Sequence, residues 1–451
     1  MSKPNDARPL KKQRTIPITP TGRWGGTLNV IDDDSLFLYG GESDEGFGKA
    51  LGTTHLFSVS QQLWTVPTTS VTSTRVWHTT TTLPSLNALF IFGGESYDLE
   101  APEILSSPML YDLDNKLYYP PTLGRGKGPS KRSGHSACLI NDDIVIFGGI
   151  ARRSWLGDLY ALNTTTWKWR TIQCMTTAST KSSPSTESTK WSTQQCVDPA
   201  PLPQARSYST LTSLHNSRAG TNAMSGRALL FGGNDGTTSF NHCEILDTTR
   251  DNQWRWLVPT TSGAPPCPRT GHAACHVALA DGRSSVLIHG GWDPQNSSSS
   301  SSSSSGQLMT FSDCFSLDVQ TMAWSKVTFG NSISRGLNVG GGPSNGNGNG
   351  DGNGNGDGNG DGSSSSSSSS SSNNTQVLAI HARVGHSICF LEKKRQLIIY
   401  GGQGSAPGSV RYDDIHVYKY DTEVHVAKLK AKRVKKVAKK ALTPKLKDTK
   451  E

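Results

Sequence analysis

The stretch that decides the fold is Ile144-Val145-Ile146-Phe147-Gly148-Gly149, a short apolar run closed by a glycine pair. The pattern recurs as Leu36-Phe37-Leu38-Tyr39-Gly40-Gly41, Leu89-Phe90-Ile91-Phe92-Gly93-Gly94, Ala228-Leu229-Leu230-Phe231-Gly232-Gly233, Val286-Leu287-Ile288-His289-Gly290-Gly291 and Leu397-Ile398-Ile399-Tyr400-Gly401-Gly402. The first glycines stand at 40, 93, 148, 232, 290 and 401, giving spacings of 53, 55, 84, 58 and 111. The two long spacings contain visible insertions. A period of this length belongs to a repeat architecture, whose units bury their faces only against one another.

Three further parts keep register with the glycine pairs. Ahead of each lies an arginine segment: Arg132-Ser133-Gly134-His135, Arg269-Thr270-Gly271-His272 and Arg383-Val384-Gly385-His386. Degenerate copies are Arg75-Val76-Trp77-His78, Arg206-Ser207-Tyr208-Ser209 and Arg23-Trp24-Gly25-Gly26. Behind each pair comes an alternating run such as Asp158-Leu159-Tyr160-Ala161-Leu162, whose period of two predicts a strand. Trp64, Tyr118, Trp167, Trp254 and Trp324 follow about ten residues on and mark a fourth strand that packs between units. The expected fold is all-β: a six-bladed propeller of four-stranded antiparallel blades.

The sixth repeat lacks its aromatic fourth strand. Arg14-Thr15-Ile16-Pro17-Ile18-Thr19 aligns with Trp64-Thr65-Val66-Pro67-Thr68-Thr69 and with Trp256-Leu257-Val258-Pro259-Thr260-Thr261, so this N-terminal strand is expected to close the ring and remove a free sheet edge. Val424–Leu429 is the competing segment. The organisation read from sequence is a disordered 1–13, a propeller over 14–425 and a tail over 426–451. Insertions at about 172–203, 293–311 and 330–381 carry Ser and Asn-Gly/Asp-Gly tracts that bury too little apolar surface to order themselves. Antiparallel strand order places all three on one face.

The net charge of +9 is local. From Val426 onward there are eleven Lys/Arg and two acids, so residues 1–425 are formally neutral. The apolar runs are far shorter than the roughly 20 residues that span a bilayer. The first residues carry no apolar segment of the kind that directs secretion. Five of eight cysteines (Cys138, Cys243, Cys275, Cys314, Cys389) sit at repeat positions, as reduced, packed thiols would in a reducing compartment. Cys174 and Cys196 flank an insertion.

These glycine-pair strands, arginine segments and spaced aromatics resemble the Kelch-repeat β-propeller family over about residues 14–425. The resemblance implies a binding platform for protein partners. It makes Arg75, Arg132, Arg206, Arg269 and Arg383 candidates for holding an acidic partner segment, since guanidinium suits carboxylates through paired hydrogen bonds. The alternative is that these arginines brace neighbouring blades through backbone carbonyls. His78, His135, His272 and His386 recur with the repeat and read as structural. Some propellers of this type are copper oxidases related to galactose oxidase. A metal-dependent enzyme is therefore a minor alternative, but no nucleophile or phosphate-binding motif stands out, and no cofactor is expected.

The tail residues Lys428, Lys430, Lys432, Arg433, Lys435, Lys436, Lys439 and Lys440 interleave with alanines and Val434. A helix here would have one narrow apolar stripe ending before Pro444. The readings are nuclear import, a nucleic-acid phosphate anchor, or a solvated tail; the stripe lacks the aromatics that would favour membrane binding. The expectation is a monomeric, non-catalytic scaffold in the nucleus, with the cytoplasm as a second location and an RNA- or DNA-associated factor as runner-up.

Overall fold

Alternating apolar and polar residues between turn signals form short strands that cannot bury two faces alone, so they pack blade on blade. A computed structural model of the chain describes residues 19–44, 48–67, 72–97, 102–175, 196–197, 200–214, 224–250, 253–278, 283–295, 310–329, 380–404 and 410–420. Among them there is no α-helix, only a 3-10 turn at Pro84–Leu86. Among the described residues no helix is long and apolar enough to cross a membrane.

Blade 1 is built from Thr27–Val30, Ser35–Tyr39, Thr54–Ser58 and Leu63–Thr65, counted outward from the axis. Blade 2 comprises Thr79–Leu83, Ala88–Phe92, Met109–Asp112 and Leu117–Tyr119. Blade 3 comprises Ser136–Ile140, Asp143–Phe147, Leu159–Asn163 and Trp169–Ile172. Blade 4 comprises Thr210–Ser213, Arg227–Phe231, Cys243–Asp247 and Arg255–Pro259, with Cys196–Val197 paired outside it. Blade 5 comprises Ala273–Ala278, Ser284–His289, Cys314–Asp318 and Ala323–Val327. Blade 6 shows Ser387–Leu391, Gln396–Tyr400 and Ile415–Lys419. All pairings within the blades are antiparallel. The N-terminal strand expected to complete blade 6, and its competitor at Val424–Leu429, lie outside the described residues apart from Thr19.

The second strands are the core. Leu36 to Tyr39, Leu89 to Phe92 and Ile144 to Phe147 are each at most 2% exposed. The outer-strand aromatics sit opposite a third-strand apolar residue: Trp64 opposite Phe57, Tyr118 opposite Tyr111, Trp169 opposite Leu162, Trp256 opposite Leu246 and Trp324 opposite Leu317. Two sequence assignments are corrected here. The repeat aromatic is Trp169, not Trp167, and Trp256, not Trp254. A two-residue slip keeps the same sheet face, so periodicity alone does not separate the members of Trp-x-Trp.

Each of these rings packs against the last aromatic of the preceding blade's second strand. Trp64 meets Tyr400 at 5.3 Å, Tyr118 meets Tyr39 at 5.7 Å, Trp169 meets Phe92 at 5.8 Å, Trp256 meets Phe147 at 5.5 Å and Trp324 meets Phe231 at 5.5 Å. At the sixth seam that second strand ends in His289, and Phe329 lies against it at 6.3 Å. Blades 6 and 1 are joined by ion pairs Lys393–Asp33 and Lys394–Asp34, and by Ser387, which bonds the Gly26 carbonyl and the Leu28 amide. The ring is therefore closed within the described residues.

Candidate functional site at the axial mouth

The arginine segment precedes the innermost strand and the glycine pair ends the second strand, so both emerge on one face. Backbone pairing locks them together in every blade: Trp24 with Glu42, Val76 with Glu95, Ser133 with Ile150, Ser207 with Asn234, Thr270 with Trp292 and Val384 with Gln403. This face surrounds the axis and receives the ends of the three long insertions.

The arginines Arg75, Arg132, Arg206, Arg269 and Arg383 are at most 1% exposed. Arg23, which the sequence shows only in a degenerate copy of the segment, is the sixth member. Each guanidinium donates to the carbonyl of the first glycine in its own blade's pair, at 2.9–3.3 Å. Each arginine carbonyl accepts from the second glycine of the preceding blade: Arg75 from Gly41, Arg132 from Gly94, Arg206 from Gly149, Arg269 from Gly233, Arg383 from Gly291 and Arg23 from Gly402. The side chain holds one blade and the main chain the one before it. The glycines permit this because a Cβ on Gly148 would lie 2.6 Å from the Arg206 carbonyl.

In blades 3 to 6 a carboxylate completes the clamp. Asp158, Glu244, Asp313 and Asp414 each accept two bonds from Arg132, Arg206, Arg269 and Arg383, at 2.7–3.4 Å. Burial pushes the Glu244 carboxyl up, against the pull of Arg206. Burial also opposes ionisation of Asp414, but the bonds from His416 and Arg383 prevail and hold it well below the usual carboxylate range. These arginines present their guanidinium groups to the blade interior rather than to solvent.

The motif histidines are buried as well. His78, His135 and His272 use Nε2 on a hydroxyl of the preceding blade's inner strand, that of Thr27, Thr79 and Thr210 respectively. His386 bonds His289 at 2.8 Å. Burial, helped by the neighbouring arginines, lowers His78 and His272 to about 3, so both stay neutral near pH 7. Among the described residues no group of three or more His, Cys, Asp or Glu is placed to hold a metal ion. Cys138, Cys243, Cys275, Cys314 and Cys389 are buried free thiols, while Cys174 is half-buried and Cys267 exposed.

Around the axis, one backbone amide from each blade donates to the carbonyl of a neighbour. Trp77 bonds Gly25, Gly134 bonds Trp77, Tyr208 bonds Gly134, Gly271 bonds Tyr208, Gly385 bonds Gly271, and Gly25 bonds Gly385, at 2.7–3.0 Å. All six residues have φ between 54° and 65°. Four are glycine, which adopts this conformation freely; Trp77 and Tyr208 adopt it at a cost. Their rings lie over the neighbouring glycines. A Cβ on Gly134 would come within 2.7 Å of Tyr208, and one on Gly385 within 2.7 Å of Trp77. Trp77 touches Tyr208 at 4.8 Å and Trp24 at 5.0 Å, both edge to face. A line of half-buried aromatics thus crosses the axial mouth. Sequence reading passed over it because Arg75-Val76-Trp77 and Arg206-Ser207-Tyr208 look like decayed copies; the available signal was a large aromatic at a position that is otherwise glycine.

The tail residues Lys428, Lys430, Lys432, Arg433, Lys435, Lys436, Lys439 and Lys440 lie outside the described residues.

A family model described as the KLHDC2/KLHL20/DRC7 Kelch-repeats domain matches residues 25–197 and 183–338, well over half of the chain. Acyl-CoA-binding domain-containing protein 5 of Arabidopsis thaliana is 26% identical over 332 residues, which cover 70% of this chain and 41% of that protein. Putative adagio-like protein 2 of Oryza sativa subsp. japonica is 26% identical over 296 residues, covering 64% of this chain and 41% of that protein. Host cell factor of Drosophila melanogaster is 24% identical over 258 residues, covering 53% of this chain and 14% of that protein. The chain spans about two fifths or less of the length of these relatives. With six glycine-pair blades, six arginine braces and that family match, the chain belongs to the Kelch-repeat β-propeller family.

Proposed function

We propose that the protein is a non-catalytic interaction scaffold that binds a protein partner at the axial mouth of the arginine face. The observation that carries this reading is the aromatic line Trp24, Trp77 and Tyr208, in which Trp77 and Tyr208 hold a strained conformation at ring positions that are otherwise glycine. Backbone strain of this kind persists where surrounding structure enforces it, and it collects at binding sites. Partly exposed aromatics on a rigid frame supply contact area at small entropic cost. The buried arginines support the platform from beneath. The motif histidines are buried and neutral, and His78, His135 and His272 are bonded to threonines, which fits a bracing role.

Affinity purification with the intact chain and with the Trp77→Gly, Tyr208→Gly double variant tests this. Both substitutions restore the residue found at the other four ring positions. A partner retained by the intact chain and lost by the folded double variant is the expected result. An unchanged partner set overturns the reading.

The Lys-rich tail carries the whole net charge, which supports nuclear residence of the scaffold. Fusing residues 426–451 to a fluorescent cargo should concentrate it in the nucleus, and an even distribution would refute this. Anchoring to RNA or DNA phosphates is the second reading of the same charge. It requires binding that weakens steeply with salt and disappears when 426–451 are removed.

A further inference from the structure

Blades 1 and 2 each place a glutamate immediately after the glycine pair, Glu42 and Glu95, and the two differ in what meets them. Glu42 is matched from within: Arg411 of blade 6 bonds its Oε1 at 2.5 Å, and the guanidinium lies over the Trp24 ring with its carbon 5.6 Å from the centroid. Carboxylate, aromatic face and guanidinium form a complete recognition set, charge pairing on one side and cation–π contact on the other.

Glu95 has the same repeat position, with Val76 where Glu42 has Trp24, and its nearby aromatics are Tyr97 and Tyr208. Its carboxylate accepts from the Ser133 hydroxyl at 2.5 Å and the Tyr97 hydroxyl at 3.0 Å, which fix its orientation. It pairs with no Lys, Arg or His among the described residues. Beside it, Tyr208 covers Gly134, the residue after Ser133. Burial, with Glu95 nearby adding to it, pushes the Tyr208 phenol up. Trp77 continues that aromatic surface.

We infer that Glu95, oriented by Ser133 and Tyr97 and flanked by Tyr208 and Trp77, receives a basic side chain of the partner segment, in the way Glu42 and Trp24 receive Arg411. A half-buried carboxylate with hydrogen-bond donors but no counter-charge favours a cation over a neutral or acidic group. The acidic segment expected from the arginine positions has no such complement here, because four of those guanidinium groups already hold carboxylates and all five are buried. This inference rests on the axial mouth being the binding face.

The test labels the full chain with 5-fluorotryptophan and follows the Trp77 resonance, assigned from Trp77→Gly, by fluorine NMR. The probes are N-acetyl-arginine amide, N-acetyl-lysine amide and N-acetyl-glutamate amide across the millimolar range. Saturable shifts with arginine, weaker ones with lysine and none with glutamate are expected. Glu95→Gln should weaken arginine binding about tenfold, equivalent to about 1.4 kcal/mol, and Glu95→Asp should fall between. Arginine binding that is absent, matched by glutamate, or unchanged in a folded Glu95→Gln overturns the inference. If partner capture depends on Trp77 and Tyr208 but the arginine probe is silent, the platform stands and the basic-side-chain inference fails.

Discussion

Blades 1 and 2 and blades 3 to 6 solve the same bracing problem with different chemistry. In blades 3 to 6 a carboxylate grips the arginine. In blade 1, Arg23 meets the Thr53 hydroxyl, and in blade 2, Arg75 meets the Ser107 carbonyl and hydroxyl and the Ser73 hydroxyl. The acids of blades 1 and 2 stand instead after the glycine pair, as Glu42 and Glu95, where the other blades have Ile150, Asn234, Trp292 and Gln403. The brace therefore depends on geometry more than on charge, and the two blades without a clamp acid carry their carboxylates, with Trp24 and Trp77, at the axial mouth.

The largest effect expected is one on which the two sets agree. His78 in blade 2 and His272 in blade 5 both titrate near 3, against an ordinary 6.5. The unfolded chain binds protons first, so stability is full above pH 6.5 and is lost as pH falls toward 3, by several kcal/mol for each group as an order of magnitude. His78→Gln and His272→Gln should each flatten the melting temperature–pH curve to a similar degree; strongly unequal flattening would show that the seams differ in more than the clamp. Arg206→Ala comes next. It strands the buried Glu244 and should cost about 3–5 kcal/mol in urea unfolding. Arg75→Ala strands no charge and should cost about 1.5–3 kcal/mol; an equal cost would erase the distinction between the sets. Trp77→Gly exchanges an aromatic contact of about 0.5–1.5 kcal/mol for relief of about 1–2 kcal/mol of backbone strain, so stability should stay within about 1 kcal/mol. Smallest of all, Thr53→Asp would give blade 1 an exposed version of the blade 3 clamp, and a gain of up to about 1 kcal/mol is expected. A loss there would mean that blade 1 excludes an acid for steric reasons.

Most of the propeller was legible because its repeat fixes both position and role. Glycine-pair strands, motif histidines and five cysteines stand where a period near 55 residues put them, buried and neutral. The outer-strand aromatics were legible to within one face, and Trp-x-Trp at 167–169 and 254–256 needed the cross-strand partners Leu162 and Leu246 to choose. The axial site was not legible, because the repeat hides it. Trp77 and Tyr208 come from different blades and meet only when the ring closes, and departures from a consensus read as decay until the shared φ is known. The arginines carried two readings in the sequence, a partner ligand and a brace through backbone carbonyls. Their residue type suggested a ligand, but Asp158, Glu244, Asp313 and Asp414 lie 26 to 44 residues downstream with no linear motif linking them to it.

The circle of amide bonds around the axis has an electrostatic consequence. In a helix, peptide dipoles add along one direction and leave a partial charge at each end. Here six donors follow one another head to tail through Gly25, Trp77, Gly134, Tyr208, Gly271 and Gly385 and return to the start, so the in-plane components cancel. No amide of that circle is left to attract an anion, as one at a helix start would. The sign of the field at the mouth is then set by side chains, and replacing Glu42, Glu95 or Arg411 would change it without opposition from the backbone beneath.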